Sequence, residues 1–220
     1  MSQRFKKNLV LLILFIFPVL TYLFFSSGVN SFARLPVIQE TISEIDFASD
    51  VQVQLKDKIT VLGYWGKLSH ETQVQALNLM EIIYSRFNGF HDFQFVILVE
   101  IPAISKIENL KQKLAKGGNT DFTNWHFILS TPSKIQEHFQ SLNAPFSLDS
   151  LGGSPQTFII DKDLNLRGRD DRSKSGELHF GYDARSIVDL SNNMVDDVKV
   201  ILAEYRLALK ENNPKNSDQK

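Results

Sequence analysis

Cysteine is absent from this chain of 220 residues. Its absence excludes disulfides, thiolate nucleophiles, iron–sulfur clusters, cysteine-ligated zinc and every dithiol redox cycle. A large excess of positive charge is also absent, because 24 basic and 25 acidic residues leave a formal net charge of −1. A nucleic-acid partner is therefore not expected, since a phosphate backbone requires a cationic surface.

One long hydrophobic run stands near the amino terminus, from Leu9 to Phe25. It is uncharged, and its 17 residues are at the short end of membrane-spanning length. Basic residues precede it, so we expect residues 1–7 to be cytoplasmic, residues 8–25 to form a single-pass transmembrane anchor, and the rest to lie on the outer, periplasmic side. A cleaved signal peptide is the alternative, because small residues follow the run, although no A-x-A site is present.

Strands alternate with helices through the body of the chain. The predicted strands are 59–65, 93–99, 125–129, 157–160 and 164–167, the last two forming a hairpin; the predicted helices are 70–87, 104–114, 132–142 and 187–209. This alternation favours an α/β fold with a mixed sheet covered by helices. We expect the domain to occupy residues 42–210, after a linker at 26–41 and before a disordered tail at 211–220.

The first helix of the body is predicted from apolar residues that recur three or four positions apart. They form one helical stripe at Val74, Leu77, Met80, Ile83 and Phe87.

A strand ending in aromatic residues, a helix after a short loop, and the later segment Ser154-Pro155-Gln156-Thr157 together resemble the thioredoxin fold. The ordered segments most similar to the Sco/SenC family are Lys58 to Trp65, Trp125-His126-Phe127, Asp161-Lys162-Asp163 and Gly181-Tyr182-Asp183. That family consists of membrane-anchored copper chaperones for cytochrome oxidase assembly. The resemblance implies a thioredoxin-like domain in which Pro155 faces the active-site loop.

The ligands of the Sco/SenC family are missing from this chain. That family binds copper through C-x-x-x-C and a later histidine, but the matching cysteine positions here are Ser69 and Gln73, and residues 151–154 contain no histidine. A cuprous ion prefers thiolate and thioether ligands to neutral oxygens and amides. The resemblance therefore implies a degenerate site at Ser69, Gln73 and Pro155, with no metal, no other cofactor and no enzymatic activity.

Five histidines remain as candidate ligands or bases. His70-Glu71 begins like a zinc motif, but Val74 occupies the position of the second ligand. Ser69 and His70 are adjacent, and adjacent helical residues point about 100° apart, which disfavours a nucleophile–base pair. Ser69 is better suited to cap the amino terminus of the following helix.

Two functional hypotheses follow from these observations. The first is a non-catalytic binding or scaffolding module in the cell envelope, with oxidase assembly as the setting implied by the resemblance. It would hold another envelope protein in a groove lined by Tyr64, Trp65, His70 and His179, next to the degenerate site. The alternative is a copper-handling protein that uses non-cysteine ligands, for which His70 and His179 are the candidates.

Overall fold

The structure is a computed structural model that describes residues 3–26, 34–46, 53–101, 103–115, 121–170, 176 and 178–212. The chain divides into two compact units, with the boundary between Ala33 and Arg34. The first unit contains the helix α1 (Gln3–Ser26), whose large apolar side chains from Val10 to Phe24 are exposed. Among the helices described, none combines the length and the apolarity of a membrane-crossing segment. The transmembrane anchor predicted at 8–25 is therefore not supported, although a helix is present there.

The second unit contains the predicted alternation of strands and helices. Its strands are β1 (Val37–Gln39), β2 (Ile59–Gly66), β3 (Phe93–Glu100), β4 (Trp125–Ser130), β5 (Gly153–Ile160), β6 (Leu166–Arg167), β7 (Arg169–Asp170), β8 (Leu178–His179) and β9 (Tyr182–Asp183). Its helices are α2 (His70–Leu79), α3 (Ser85–Phe87), α4 (Ile104–Ala115), α5 (Pro132–Ser141), α6 (Ile187–Asp189) and α7 (Val195–Asn212), with π-helical turns at Met80–Tyr84 and Leu190–Met194.

The strands form a mixed sheet in the order β1-β6-β5-β2-β3-β4, and β9 also pairs with β5. The parallel centre consists of β2, β3 and β4, whereas β5 is antiparallel to β2 and β6 is antiparallel to β5. Successive strand residues face opposite sides, so Val61 belongs to one core cluster and Leu62 to the other. Helices α2, α4 and α7 cover the first face and α5 covers the second. The predicted mixed sheet covered by helices is confirmed.

The predicted linker at 26–41 is wrong in its second half. Residues 37–39 form β1, which pairs antiparallel with β6 and belongs to the same unit as the sheet. A strand of three residues is too short to show periodicity, which is why the sequence did not reveal it. The remainder of that linker at 27–33 lies outside the described residues, as does the predicted tail apart from its first two residues, which belong to α7.

The predicted stripe on the first helix is wrong over its first two positions. Val74 and Leu77 are exposed, whereas Met80, Ile83 and Phe87 are buried as expected. The buried face of α2 is formed instead by Thr72, Gln75, Ala76 and Leu79, and the π-helical turn at Met80–Tyr84 follows it.

The hairpin between β5 and β6 is joined to distant segments by the buried side chain of Arg167. Its Nη1 lies 2.9 Å from Asp161 Oδ2, its Nη2 lies 2.7 Å from Glu204 Oε2 on α7, and its Nε donates to the Leu35 carbonyl at 2.8 Å. Asp161 is 1% exposed and Arg167 is 4% exposed. This pair therefore holds the hairpin, α7 and the start of the domain together.

Candidate functional site

The candidate site lies where β2 ends and the chain turns towards α2. Gly66 makes this turn with φ +48°, and the Lys67 N–H donates to the Leu151 carbonyl at 2.8 Å. Beside it, Trp65 pairs with Gly153 at the start of β5, two residues before Pro155. Strand β5, which contains Pro155, therefore begins at the same end of the sheet as the loop that leads to Ser69.

Ser69 is the N-cap of α2, as the sequence predicted. Its backbone N–H donates to Thr72 Oγ1 at 2.9 Å, and its Oγ accepts from the Thr72 N–H at 3.4 Å. This reciprocal arrangement is a capping box, which satisfies two backbone donors at the helix start. The Ser69 hydroxyl therefore stabilises the start of α2.

Gln73 lies one helical turn further along α2 and faces α4. Its Oε1 accepts a hydrogen bond from Lys113 Nζ at 3.0 Å, while Lys106 Nζ lies 3.5 Å from the Leu68 carbonyl. Ser69, His70 and Gln73 line one side of a cleft of about 280 Å³, and the two lysines line the other. The structure thus brings three predicted residues together in a cationic cleft between α2 and α4.

The two lysines of this cleft were missed by the sequence reasoning. They belong to α4 and not to the loop or helix that carries the resemblance, and lysines on an amphipathic helix normally indicate its solvated face.

Glu100 was missed as well. It is 7% exposed at the end of β3, and its Oε2 lies 3.9 Å from Lys67 Nζ. Its position directly after an apolar parallel strand is the signal that could have identified it.

Tyr64 and Trp65 do not line a groove, and that prediction is wrong. Their exposed fractions are 0% and 2%, respectively. Tyr64 packs edge-on against Phe139 of α5, with ring centroids 4.9 Å apart, whereas Trp65 packs against Phe127 at 5.9 Å on the opposite face. Both residues are buried because helices cover both faces of the sheet at the end of β2.

Tyr64 forms a buried hydrogen-bonded pair with His138. Its hydroxyl lies 2.7 Å from His138 Nδ1, and His138 Nε2 lies 3.0 Å from the Ser43 carbonyl. A carbonyl only accepts hydrogen bonds, so Nε2 carries the proton and Nδ1 accepts from the tyrosine. Burial lowers the pKa of His138 to about 4 and raises the pKa of Tyr64 well above its usual value. Both side chains of this pair are therefore neutral around pH 7, and their hydrogen bond is part of the core.

The two histidines proposed as copper ligands have different surroundings. His70 is exposed at the start of α2, whereas the ring of His179 packs on Tyr182 with centroids 5.0 Å apart, and its Nε2 lies 3.9 Å from Asp189 Oδ1. His179 is not among the residues that line the cleft beside His70. Within the described part of the chain, no group of three or more histidine, aspartate or glutamate side chains is arranged to hold a metal ion.

Three features identify the fold: the parallel centre of the sheet, the helices on both of its faces, and the strand containing Pro155 beside the end of β2. The chain has a thioredoxin-like fold. It superposes on a SCO1/SenC family lipoprotein from Bacillus anthracis str. Ames with a TM-score of 0.50 and 17% identity, over 80% of this chain and 99% of that one. It also superposes on a candidate protein disulfide isomerase from Bacteroides thetaiotaomicron with a TM-score of 0.50 and 13% identity, over 80% of this chain and 98% of that one.

The solved structures that share this fold include the family implied by the sequence resemblance. At this level of identity, the likeness shows the fold alone. The sequence matches no protein-family model and no curated protein sequence.

Proposed function

We propose that this chain is a non-catalytic binding module of the cell envelope, which holds an acidic segment of another protein in the cleft between α2 and α4. The proposal rests on the hydrogen bonds that the side chains of Ser69 and Gln73 form. The serine caps a helix, and the glutamine accepts a hydrogen bond from Lys113 at 3.0 Å. Both side chains therefore stabilise local structure, and we infer that the cleft beside them is used for recognition.

The charge of the cleft favours an acidic partner. Lys106 and Lys113 face the first turn of α2, where the helix dipole adds partial positive charge. Lys113 is held by an amide and not by a carboxylate, so its charge is not neutralised by that partner. A carboxylate from another protein would gain from both ammonium groups and from the helix terminus.

We place the domain at the outer face of a membrane, attached through α1. The large apolar side chains from Val10 to Phe24 are exposed, and a contiguous apolar surface of that length is typical of a segment covered by lipid or protein. The protein from Bacillus anthracis that shares the fold is described as a lipoprotein, which agrees with an envelope location.

A photo-crosslinking amino acid at Gln73 tests the cleft in intact cells. We expect a discrete protein adduct from this position and none from the same amino acid at Lys199, an exposed site on α7. Reversing the charge of the cleft with Lys106→Glu and Lys113→Glu should abolish the adduct. An adduct that survives charge reversal, or one that forms equally at position 199, would contradict an acidic partner in the cleft.

The absence of catalysis is tested by substitutions that remove reactive groups and leave the cleft charged. Ser69→Gly combined with His70→Ala deletes the hydroxyl and the imidazole, while glycine remains an acceptable N-cap. We expect the Gln73 adduct and any phenotype restored by the wild-type chain to be retained. Loss of the phenotype with retention of the adduct would show that the site performs chemistry.

Membrane attachment is tested by washing isolated membranes with sodium carbonate. The full chain should stay with the membranes, and replacing the exposed residues Leu14 and Phe17 with glutamate should release it, because charged side chains are costly in an apolar environment. Release of the wild-type chain by the wash would contradict attachment through α1.

A further inference from the structure

The strand β4 forms one edge of the sheet, and two of its residues direct their backbone polar groups away from the sheet. In the parallel pair that β4 forms with β3, the Phe95 N–H donates to the Asn124 carbonyl at 2.7 Å. Successive residues of a strand point their N–H and C=O groups to opposite sides, so the even-numbered residues of β4 bond to β3. The N–H and C=O groups of Phe127 and Leu129 therefore point outward.

This edge lacks the features that usually protect an edge strand from pairing. Among the described residues, no hydrogen-bond partner is present for the outward backbone groups of Phe127 and Leu129. Charged residues, prolines and bulges are common protections, but β4 is six residues long, contains neither a charged residue nor a proline, and pairs with β3 in an unbroken register. The opposite edge strand, β1, has three residues and an irregular register. β4 is therefore the edge suited to accept another strand.

The surroundings of this edge are apolar and carry no net charge. Phe127 and Leu129 are half-buried and line a groove, which Glu108 and Lys111 of α4 also line. The two opposite charges lie 4.0 Å apart and balance each other. Burial lowers the pKa of His126, so that imidazole is neutral around pH 7. A second copy of the chain would bring matching apolar side chains and one charge of each sign, without net repulsion.

We propose that two copies of this chain pair through β4 in antiparallel orientation, so that their sheets join. A twofold axis at Ile128 places Phe127 of each copy opposite Leu129 of the other, and each of these pairs exchanges two hydrogen bonds. The four outward groups of each copy are then satisfied. An axis at Phe127 would instead place Leu129 opposite Trp125, whose N–H already donates to the Phe122 carbonyl at 3.0 Å. This pairing is separate from the cleft between α2 and α4 and does not depend on the function proposed for it.

The mass of the full chain in detergent, measured by light scattering, tests this pairing. At about 0.1 mM we expect a protein mass of about twice the 25.1 kDa of one chain, with a Kd on the order of 1 μM. Leu129→Lys should reduce the mass to that of one chain, because the charge would face Phe127 of the second copy. Val37→Lys is the control and should remain a dimer, because Val37 is 46% exposed in β1 at the other edge. A wild type with the mass of one chain, or a dimer that survives Leu129→Lys, would overturn the proposal.

Hydrogen exchange at single amides tests the register and checks the fold of each variant. In the dimer the amides of Phe127 and Leu129 should be protected, and dilution to about 0.1 μM should speed their exchange by about tenfold, as the paired fraction falls from about 90%. The amides of His126 and Ile128 bond to β3 within the chain, so they should stay protected at both concentrations and in Leu129→Lys. Fast exchange of Phe127 and Leu129 at about 0.1 mM, or protection of Phe127 that persists when Leu129→Lys is monomeric, would overturn pairing with a second copy.

Discussion

Acidification is expected to destabilise the domain through the buried imidazole of His138. Its side chain is 2% exposed and accepts the hydroxyl proton of Tyr64 at a distance of 2.7 Å. Protonation would place a hydrogen on Nδ1, directed at that hydroxyl, and a charge in the core. Burial therefore lowers the pKa of His138 from 6.5 to about 4.

The size of the effect follows from the two pKa values. Between pH 6.5 and about 4, the unfolded chain binds a proton at this residue and the folded chain does not, so the free energy of unfolding falls as the pH falls. The contribution is complete above pH 6.5, and it is lost by the time the pH reaches about 4. The difference between the two pKa values corresponds to about 3 kcal/mol.

Urea unfolding at about pH 7 and about pH 4.5 measures this loss, and a non-titrating variant isolates it. His138→Gln should be less stable than the wild type around neutral pH, but it should lose up to about 3 kcal/mol less free energy of unfolding on acidification. His70→Gln is the control, because it replaces a histidine that is exposed and lies outside the core. If wild type and His138→Gln lost the same free energy between the two pH values, the explanation would be refuted.

Substitutions at three further positions should change the stability of the domain, measured by unfolding with urea. Ser69→Ala should lower it by about 1 kcal/mol and Ser69→Gly by only a few tenths, because the serine caps α2. Arg167→Leu should lower it by about 3–5 kcal/mol, because it leaves the Asp161 carboxylate buried without its cation. Gly66→Ala should prevent stable folding, because a Cβ there would collide with the Leu151 carbonyl oxygen and φ is +48°.

Matched substitutions at other positions test whether these losses of stability come from the named contacts or would follow from any similar substitution in the domain. Arg185→Leu removes an exposed pair with Asp183 and should cost less than about 1 kcal/mol. Gly89→Ala should be tolerated, because nothing lies within 4 Å of a Cβ added there. The reasoning fails if Arg185→Leu is as costly as the change at the buried arginine, if both glycine variants fold equally well, or if the alanine and glycine caps are indistinguishable.

The order of strands and helices could be predicted because periodicity is a local property of the sequence. The strands at 59–65, 93–99 and 125–129 were found close to their observed bounds, since each is a short β-branched and aromatic run. The N-cap role of Ser69 was also predictable, because a capping hydroxyl interacts with a backbone group only three residues away. Local rules failed at Val74 and Leu77, because α2 buries Thr72, Gln75, Ala76 and Leu79 and leaves these two apolar side chains exposed.

The candidate groove could not be predicted in the same way, because burial depends on elements that are distant in the sequence. Tyr64 and Trp65 end a strand at an edge where open α/β sheets often form a crevice. Here α5 covers one of these residues and the cluster beneath α2 and α4 covers the other. The sequence shows the aromatic residues, but it does not show that both faces are closed above them.

The sequence by itself determined that the chain has no thiol chemistry, because a residue type that is absent cannot be supplied by folding. It also determined the α/β class, through periodicities read within single segments. Only the tertiary structure decided that Gln73 meets Lys113, 40 residues further along, and that, among the described residues, the Trp125 indole nitrogen is buried without a hydrogen-bond partner. The first contact arises because α4 packs against α2. Such contacts depend on how whole elements are positioned, and no local pattern encodes them.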